Sequence, residues 1–253
     1  MMRAFFRTIM VVSVVVVLCG CGPRRSAVRA TPDPGRAVTR ESSSELFTPS
    51  SYIARPTLGL GSKYRDLLSP NSYVIWFTDE VAELKLESGT TEGGMSKNAE
   101  ELLTIAKTLN EKYLILECHV VSAFRDSSIA YDITGFRQAD VFLLDGVGNK
   151  YEPLQVIIGT LERGQKGALM VFRRVNLLVF AKQDLLTGEP VISSRSGEVN
   201  LVISGYDTTY FFSWADVSRA TQQTRTKRDV ESVRAMKLGS LESALRFLVE
   251  NLP

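Results

Sequence analysis

Residues 113–120 read YLILECHV, and in this stretch the side chains alternate between two sets. One set is apolar and consists of Leu114, Leu116, Cys118 and Val120. The other set contains Tyr113, Glu117 and His119. Because successive side chains of a strand point to opposite faces, this period of two predicts a β-strand, and it is the main signal of the fold.

The same period continues downstream and predicts a mainly β protein. Further strands are predicted at residues 136–144, 154–161, 168–181, 199–203 and 210–214. In the last of them Tyr210, Phe212 and Trp214 should face inwards, which leaves Phe211 outside. Turns such as DGVGN at residues 145–149 separate the strands. Six or more strands at this spacing indicate an antiparallel β-sandwich.

Helices are predicted on both sides of this β region. Residues 73–77 and 81–86 predict two short strands or one interrupted strand. Residues 97–110 follow with the spacing of one amphipathic helix, for which Ser96 is the expected N-cap.

The chain closes with a predicted helical pair at residues 229–237 and 241–252, around Gly239, with Ser240 as an N-cap. The second helix has an apolar stripe formed by Leu241, Leu245, Leu248 and Leu252. We expect this stripe to pack on the sandwich or on the first helix, and binding to a partner is the alternative. A mixed α+β arrangement stays open.

The N-terminus has the composition of a secretory signal peptide. Arg3 and Arg7 precede an uncharged, largely apolar run at residues 9–20. A helix of this length covers roughly 18 Å, well short of the ~30 Å hydrocarbon core of a bilayer. A charged start followed by a short apolar run predicts a signal peptide rather than a membrane span.

The sequence Leu18-Cys19-Gly20-Cys21 resembles the lipobox of bacterial lipoproteins. The resemblance implies cleavage after Gly20 and attachment of lipid, including palmitate, to the sulfur of Cys21. The mature chain would then be anchored in a membrane and extracytoplasmic. Because Gly22 rather than Asp follows the cysteine, the resemblance also implies the periplasmic face of the outer membrane in a cell with two membranes. In a cell with one membrane, the protein would face outside.

Composition divides the rest of the chain into three parts. Residues 21–63 are rich in Pro, Ser and Arg and predict a flexible tether, because such a segment buries too little surface to offset its ordering entropy. Alternatively, the arginines of this tether touch anionic lipid head groups. Residues 64–225 are predicted to form the β-sandwich domain, including the helix at residues 97–110, and residues 226–253 the C-terminal helices.

Charge and cysteine content narrow the chemistry. The chain has 30 Lys and Arg against 28 Asp and Glu, and losing Arg3 and Arg7 with the signal leaves a neutral mature protein. A neutral extracytoplasmic chain offers no argument for nucleic-acid binding. With Cys19 cleaved away and Cys21 lipidated, only Cys118 remains, so we predict no intramolecular disulfide. One thiol and one histidine exclude zinc sites with several such ligands, and we predict no metal and no cofactor.

No catalytic set stands out. His119 is the only imidazole, and Cys118 should point to the opposite face of the strand, so the two cannot form a thiolate pair. We expect Cys118 to be buried and inert, and His119 to be an exposed surface residue partly paired with Glu117. Asp207 and Asp216 bracket the aromatic strand and are a nominal glycosidase pair, but nothing in their spacing selects them.

A second resemblance covers about a hundred residues of the core. The runs KYLILECHVVSAF, DVFLLDGVGNKYEPL and TTYFFSWAD occur in this order, with Asp145, Gly148, Tyr151 and Pro153 in a D-x-x-G-x-x-Y-x-P pattern. This arrangement is similar to the telokin-like, immunoglobulin-like sandwich domains found in bacterial lipoproteins. The resemblance implies an immunoglobulin-like β-sandwich.

These features predict a non-enzymatic, membrane-anchored β-sandwich that binds an envelope component, either protein or glycan, or has a structural role in an envelope assembly. Tyr206 and Phe211 are the candidate binding surface, because aromatic residues are enriched at interfaces. A carrier or chaperone for an apolar ligand, with a hollow interior, is the first alternative. A hydrolase that uses carboxylates is the second.

Overall fold

The structure is a computed structural model that describes residues 45–87, 97–184, 188–217, 227–236 and 241–252. The predicted signal peptide, Gly20, Cys21 and residues 22–44 of the tether lie outside the described residues, as do Ser96, Gly239 and Ser240. Within the described ranges, the chain forms two antiparallel β-sheets and five α-helices. The predicted mainly β sandwich with helices is confirmed.

The first sheet contains six strands. In spatial order they are β1 (Ile53–Ala54), β3 (Tyr73–Phe77), β4 (Tyr113–Ser122), β9 (Leu169–Ala181) and β7 (Gln155–Ile157), and β8 (Glu162–Lys166) also pairs with β9. The long strands β4 and β9 are paired along ten residues, from Tyr113 opposite Ala181 to Ser122 opposite Phe172. They form the centre of this sheet.

The second sheet contains five strands. Their spatial order is β2 (Pro56–Leu58), β11 (Thr208–Ala215), β10 (Glu198–Gly205), β5 (Ala139–Asp145) and β6 (Lys150–Tyr151). The predicted inward alternation on β11 is confirmed, because Tyr210, Phe212 and Trp214 are buried while Phe211 is half-buried on the other side.

The helices are α1 (Asp79–Glu87), α2 (Lys97–Lys112), α3 (Ser127–Thr134), α4 (Lys227–Arg234) and α5 (Glu242–Asn251). The first two pack on each other, α4 packs on α1 and α5 packs on α2. Together these four cover the face of the first sheet that points away from the second sheet, which we call the outer face. No helix in the described part of the chain is long and apolar enough to cross a membrane.

Both faces of the first sheet are buried. Its inner face packs on the second sheet, and β4 contributes to this core the four predicted residues Leu114, Leu116, Cys118 and Val120. Tyr113 and Ile115 point the other way, into a second core under the helices. Three residues of the C-terminal stripe, Leu241, Leu245 and Leu248, are buried in this second core, as predicted.

Residues 81–86, predicted as a strand, belong to helix α1. Asp79 and Glu80 lie in the first turn of this helix, where the positive end of the helix dipole stabilises carboxylates. Val81, Ala82, Lys85 and Leu86 are its buried residues, a helical spacing that short apolar runs do not reveal clearly. Helix α3 was not predicted at all, although Asp126 caps it by accepting a hydrogen bond from the backbone N–H of Ser128 at 2.9 Å.

The predicted end of the tether at residue 63 is also wrong. Residues 45–63 belong to the folded unit, since Phe47 is buried in the inner core and Tyr52 in the outer core. The same segment supplies one edge strand to each sheet, β1 and β2. Pro56 fits there because an edge strand tolerates a residue without a backbone N–H. The high proline content therefore led to the prediction of a flexible segment at residues that are ordered.

Candidate functional site

The predicted binding residues Tyr206 and Phe211 both have contacts within the fold. The Tyr206 hydroxyl donates a hydrogen bond of 3.0 Å to Asp132 Oδ2, which joins the β10–β11 turn to α3. Phe211 lies so close to Gly59 that a Cβ there would be 3.0 Å from the Phe211 ring. Their assignment to a binding surface stays a prediction, and the structure gives each a packing role.

Asp207 and Asp216 do not form a catalytic pair. They lie at opposite ends of the eight-residue strand β11, so nine steps of about 3.3 Å separate them by roughly 30 Å. Asp207 is exposed beside Lys63, whereas Asp216 is buried and accepts a hydrogen bond from the backbone N–H of Thr48. Such a separation is several times the ~5–9.5 Å between the carboxyl groups of glycosidases.

Three polar side chains form a line under the helices. Glu117 on β4 is fully buried, and its Oε2 accepts a hydrogen bond from Lys85 Nζ, which arrives from α1. Its other oxygen, Oε1, lies 2.7 Å from His119 Nε2. We call Lys85, Glu117 and His119 the buried triad.

His119 differs from its prediction in one respect. Its pairing with Glu117 is confirmed, but its side chain is only 18% exposed, so it is not an exposed surface histidine. Tyr73 stacks on the imidazole with ring centroids 4.4 Å apart. Between the carboxylate and the stacked ring, the imidazole is held in one orientation.

The charges of the triad follow from its surroundings. Burial by itself would raise the pKa of Glu117, but the positive charge of Lys85 and the hydrogen bonds from His119 and Lys85 outweigh burial and hold this pKa below the ordinary value of 4.5. Burial, and then the negative charge of Glu117, raises the pKa of Tyr73 to about 12. At neutral pH the carboxylate is therefore ionised and the phenol is neutral.

An ionised Glu117 requires His119 Nε2 to carry a proton. A neutral imidazole then has its lone pair on Nδ1, and a protonated one has a donor there. Within the described residues, Nδ1 has no hydrogen-bond partner. The histidine can therefore offer Nδ1 to a ligand as either acceptor or donor.

His119 opens into a groove of about 780 Å³. Tyr73, Val175 and Leu177 line it from the outer face of the first sheet, and Leu241 and Phe247 line it from the C-terminal segment. Phe247 is 43% exposed, so its ring is accessible from the groove. Ligand pockets typically measure ~300–1,000 Å³, and the volume of this groove lies in that range.

Gly159 lines the groove and lies against β9. A Cβ at this residue would run into the carbonyl oxygen of Val175, so only glycine allows the chain to pass so close to β9. The Gly159 backbone N–H donates a hydrogen bond of 3.1 Å to Asn176 Oδ1, which fixes this approach. The groove is thus built by specific contacts.

A second and smaller cleft, of about 330 Å³, lies where both cores meet. Phe47, Trp76 and Tyr113 supply apolar walls. Asn110 lines it too, and its buried Oδ1 has no hydrogen-bond partner among the described residues, while its Nδ2 donates to Asp79 at 2.9 Å. This cleft could accept a small apolar group that carries one hydrogen-bond donor.

The D-x-x-G-x-x-Y-x-P residues have a structural role. One carboxylate, Asp145, accepts hydrogen bonds from the backbone N–H groups of Val147 and Asn149 and from the Tyr151 hydroxyl, at 3.0, 2.8 and 2.9 Å. Gly148 has φ = +99°, a conformation that favours glycine. These contacts hold the turn between β5 and β6 in place.

No protein-family model matches the chain, and no curated protein matches it either. In the described residues, no three His, Cys, Asp or Glu side chains are grouped in a way that could hold a metal ion. The buried triad and the groove beside it were not predicted, because their members come from segments that only the fold brings together. The one signal in the sequence was the shared face of Glu117 and His119.

Proposed function

We propose that this chain is a membrane-anchored lipoprotein, held through lipid on Cys21, and that its sandwich domain binds a protein segment of the cell envelope in the groove beside His119. The observation that carries the proposal is the groove itself, which is lined both by a histidine held in one orientation and by the exposed ring of Phe247. Aromatic anchors in a partly apolar pocket are typical of binding sites.

The buried triad supports binding rather than packing alone. A buried ion pair gains little over apolar residues of the same volume, since desolvation of both charges opposes their attraction. Here the Lys85–Glu117 pair extends to His119, which lies in a groove lined by both apolar and polar side chains. A polar group held in one orientation helps to fix the register of a bound partner.

The groove proposal is tested by photo-crosslinking in intact cells. A benzophenone amino acid replaces Phe247 in one variant and Val249 in the matched control. Both residues lie on α5 with similar exposure, 43% and 45%, but only Phe247 lines the groove. We expect a discrete protein adduct from position 247 and none from position 249.

Three other results would contradict the protein partner. Equal adducts from both positions would mean a non-specific apolar contact. An adduct that a muramidase digests would replace the protein partner by a glycan, and the absence of any adduct would remove the groove as a binding site.

The anchor needs its own test, because the groove does not depend on it. Changing Cys21→Ala should release the protein from the membrane pellet into the soluble envelope fraction after cell disruption. A variant that stays in the pellet after washing with high salt would overturn the lipoprotein assignment. Detection of the full chain with a C-terminal antibody separates release from degradation.

A carrier of small apolar ligands is a second candidate, favoured by the cleft at Trp76 and Asn110. Its volume of about 330 Å³ suits one ring or a short chain. Mass spectrometry of organic extracts from the purified protein would support this function if one compound is retained in stoichiometric amount. The absence of such a compound from the extracts would contradict this function, and the cleft would then be a packing defect.

A further inference from the structure

Three arginines from separate segments converge on Tyr131 of α3. Arg174 on β9 has its Cζ 4.8 Å from the centroid of the Tyr131 ring, and Arg137 has its Cζ 5.1 Å from the same point. Arg163 on β8 is close enough for its charge to act on the phenol. We call Tyr131, Arg137, Arg163 and Arg174 the arginine cluster.

The cluster has no counter-ion within the described ranges. None of its three arginines takes part in an ion pair there, and two nearby acids on or beside α3 are engaged elsewhere. Asp132 accepts the hydrogen bond from Tyr206, and Asp126 caps the start of α3. Like charges brought together repel one another, so a bound anion would relieve the repulsion.

Arg174 provides a second observation. It is only 8% exposed, and its Nε is sealed from solvent without a hydrogen-bond partner in the part of the chain that the structure describes. A Cβ at Gly135 would lie 3.0 Å from Arg174 Nη1, so the glycine that ends α3 makes room for this guanidinium. A buried cation with an unsatisfied donor is costly, and an anion seated against the same guanidinium offsets that cost.

The phenol responds to the same field. A hydrogen bond from Arg174 and the charge of Arg137, with smaller contributions from the charges of Arg174 and Arg163, lower the pKa of Tyr131 although burial opposes them. Negative charge is therefore favoured at this point of the surface.

We propose that the arginine cluster binds a phosphoryl group. The planar guanidinium group matches the geometry of phosphate oxygens. The exposed Arg137 and Arg163 donate hydrogen bonds to the phosphoryl group from the solvent side. The buried Arg174 contributes its charge from the protein side, and the Tyr131 hydroxyl donates a further hydrogen bond. The phosphate comes from free inorganic phosphate or from a phospholipid head group, since both present the same oxygens. This inference does not rest on the groove, although Arg174 also borders it.

The proposal is tested by isothermal titration calorimetry of the full chain in detergent. The titrants are inorganic phosphate and dihexanoyl phosphatidic acid, with dihexanoyl phosphatidylcholine as a phospholipid whose phosphate is masked. Arg137→Gln/Arg163→Gln should weaken binding at least about tenfold, because it removes two charge-assisted contacts. Arg125→Gln/Lys166→Gln removes the same charge from exposed positions nearby and should bind like the wild type.

Each result decides something. Binding of both titrants, lost in the first variant alone, supports a site that reads the phosphoryl group, and binding of phosphatidic acid alone supports a head-group source. Absence of binding, or equal weakening in both variants, overturns the proposal. Thermal unfolding checks that both variants are folded, and their four residues are all exposed.

A spectroscopic readout separates binding from structural support. The difference in phenolate absorbance between wild type and Tyr131→Phe isolates the titration of Tyr131. Phosphate at the cluster should shift this titration to higher pH, because the bound anion opposes ionisation of the phenol. If saturating phosphate leaves it unchanged, no anion sits against Tyr131.

Discussion

The two faces of β4 are buried to a similar degree but carry different chemistry. On the inner face Leu116 and Cys118 belong to the core between the two sheets and pack against the second sheet. On the outer face Glu117 is buried just as deeply, but it binds Lys85 and His119. The difference teaches that burial alone does not separate the supporting face from the face that presents a site. The hydrogen-bond and ion-pair partners of the buried polar atoms distinguish the two faces.

The largest effect should come from leaving one charge of the outer face unpaired. Lys85→Met removes the cation that balances Glu117, and we expect a loss of about 3–5 kcal/mol in the free energy of unfolding. Urea denaturation measures it. Lys107→Met is the control, because its ion pair with Glu83 is exposed at 2.7 Å and is worth only about 0.2–1 kcal/mol.

A double variant sharpens this result. Lys85→Met/Glu117→Gln removes both charges and should recover most of the stability that Lys85→Met alone loses. If the double variant is as unstable as the single one, packing of the lysine chain rather than its charge is responsible.

The inner face should respond next, and to volume rather than charge. Leu116→Ala leaves a cavity between the sheets and should cost about 3 kcal/mol in urea denaturation. Crosslinking at position 247 should persist under conditions where the variant is folded, because the groove is on the other face. Loss of crosslinking in folded protein would show that the two faces are coupled.

Acid should weaken the outer face through Glu117. The pKa of Glu117 is depressed in the folded state, so its contribution to stability is complete above the ordinary value of 4.5 and is lost as the pH falls through the lower folded value. Stability of the wild type should therefore fall more steeply below this pH than that of Glu117→Gln. Parallel curves of unfolding free energy against pH would contradict the ionised pair.

The smallest effect should come from Cys118. Burial, and then the charge of Glu117, raises the pKa of its thiol well above the ordinary value of 9.0, so the native protein should react very slowly with iodoacetamide. Cys118→Ala should cost only about 1 kcal/mol. Labelling faster than unfolding would mean that the inner face opens locally, and Lys85→Met should accelerate labelling only through lower stability.

The alternation of residues 113–120 was enough to predict β4 and the sandwich, because a period of two survives wherever a sheet has a buried face. The same reasoning failed at residues 81–86, where a run of six residues fits either a strand or one and a half turns of helix. The prolines at 49 and 56 led to the prediction of a flexible tether where the chain is ordered, since composition cannot distinguish an edge strand from a tether.

The sites could be predicted only in part. Glu117 and His119 share a strand, so their pairing follows from the sequence, whereas Lys85 lies 32 residues away on a helix that was assigned as a strand. The arginine cluster takes members from α3, β8 and β9 and from the loop after α3. No local sequence pattern predicts that these side chains come together, because their proximity depends on how the hairpin of β8 and β9 packs against α3.

The segment that enters the fold at residue 45 also determines how the domain withstands mechanical force. Its backbone forms three hydrogen bonds with the second half of the chain. The backbone N–H of Ser194 donates to the carbonyl of Glu45, that of Phe47 donates to Ile192, and that of Ser50 donates to Ala215. Tension transmitted along the chain before residue 45 therefore reaches several hydrogen bonds and the buried ring of Phe47 together. A pull on residue 45 would have to break these contacts with residues 192, 194 and 215 before it reaches β1 and β2, the edge strands of the two sheets.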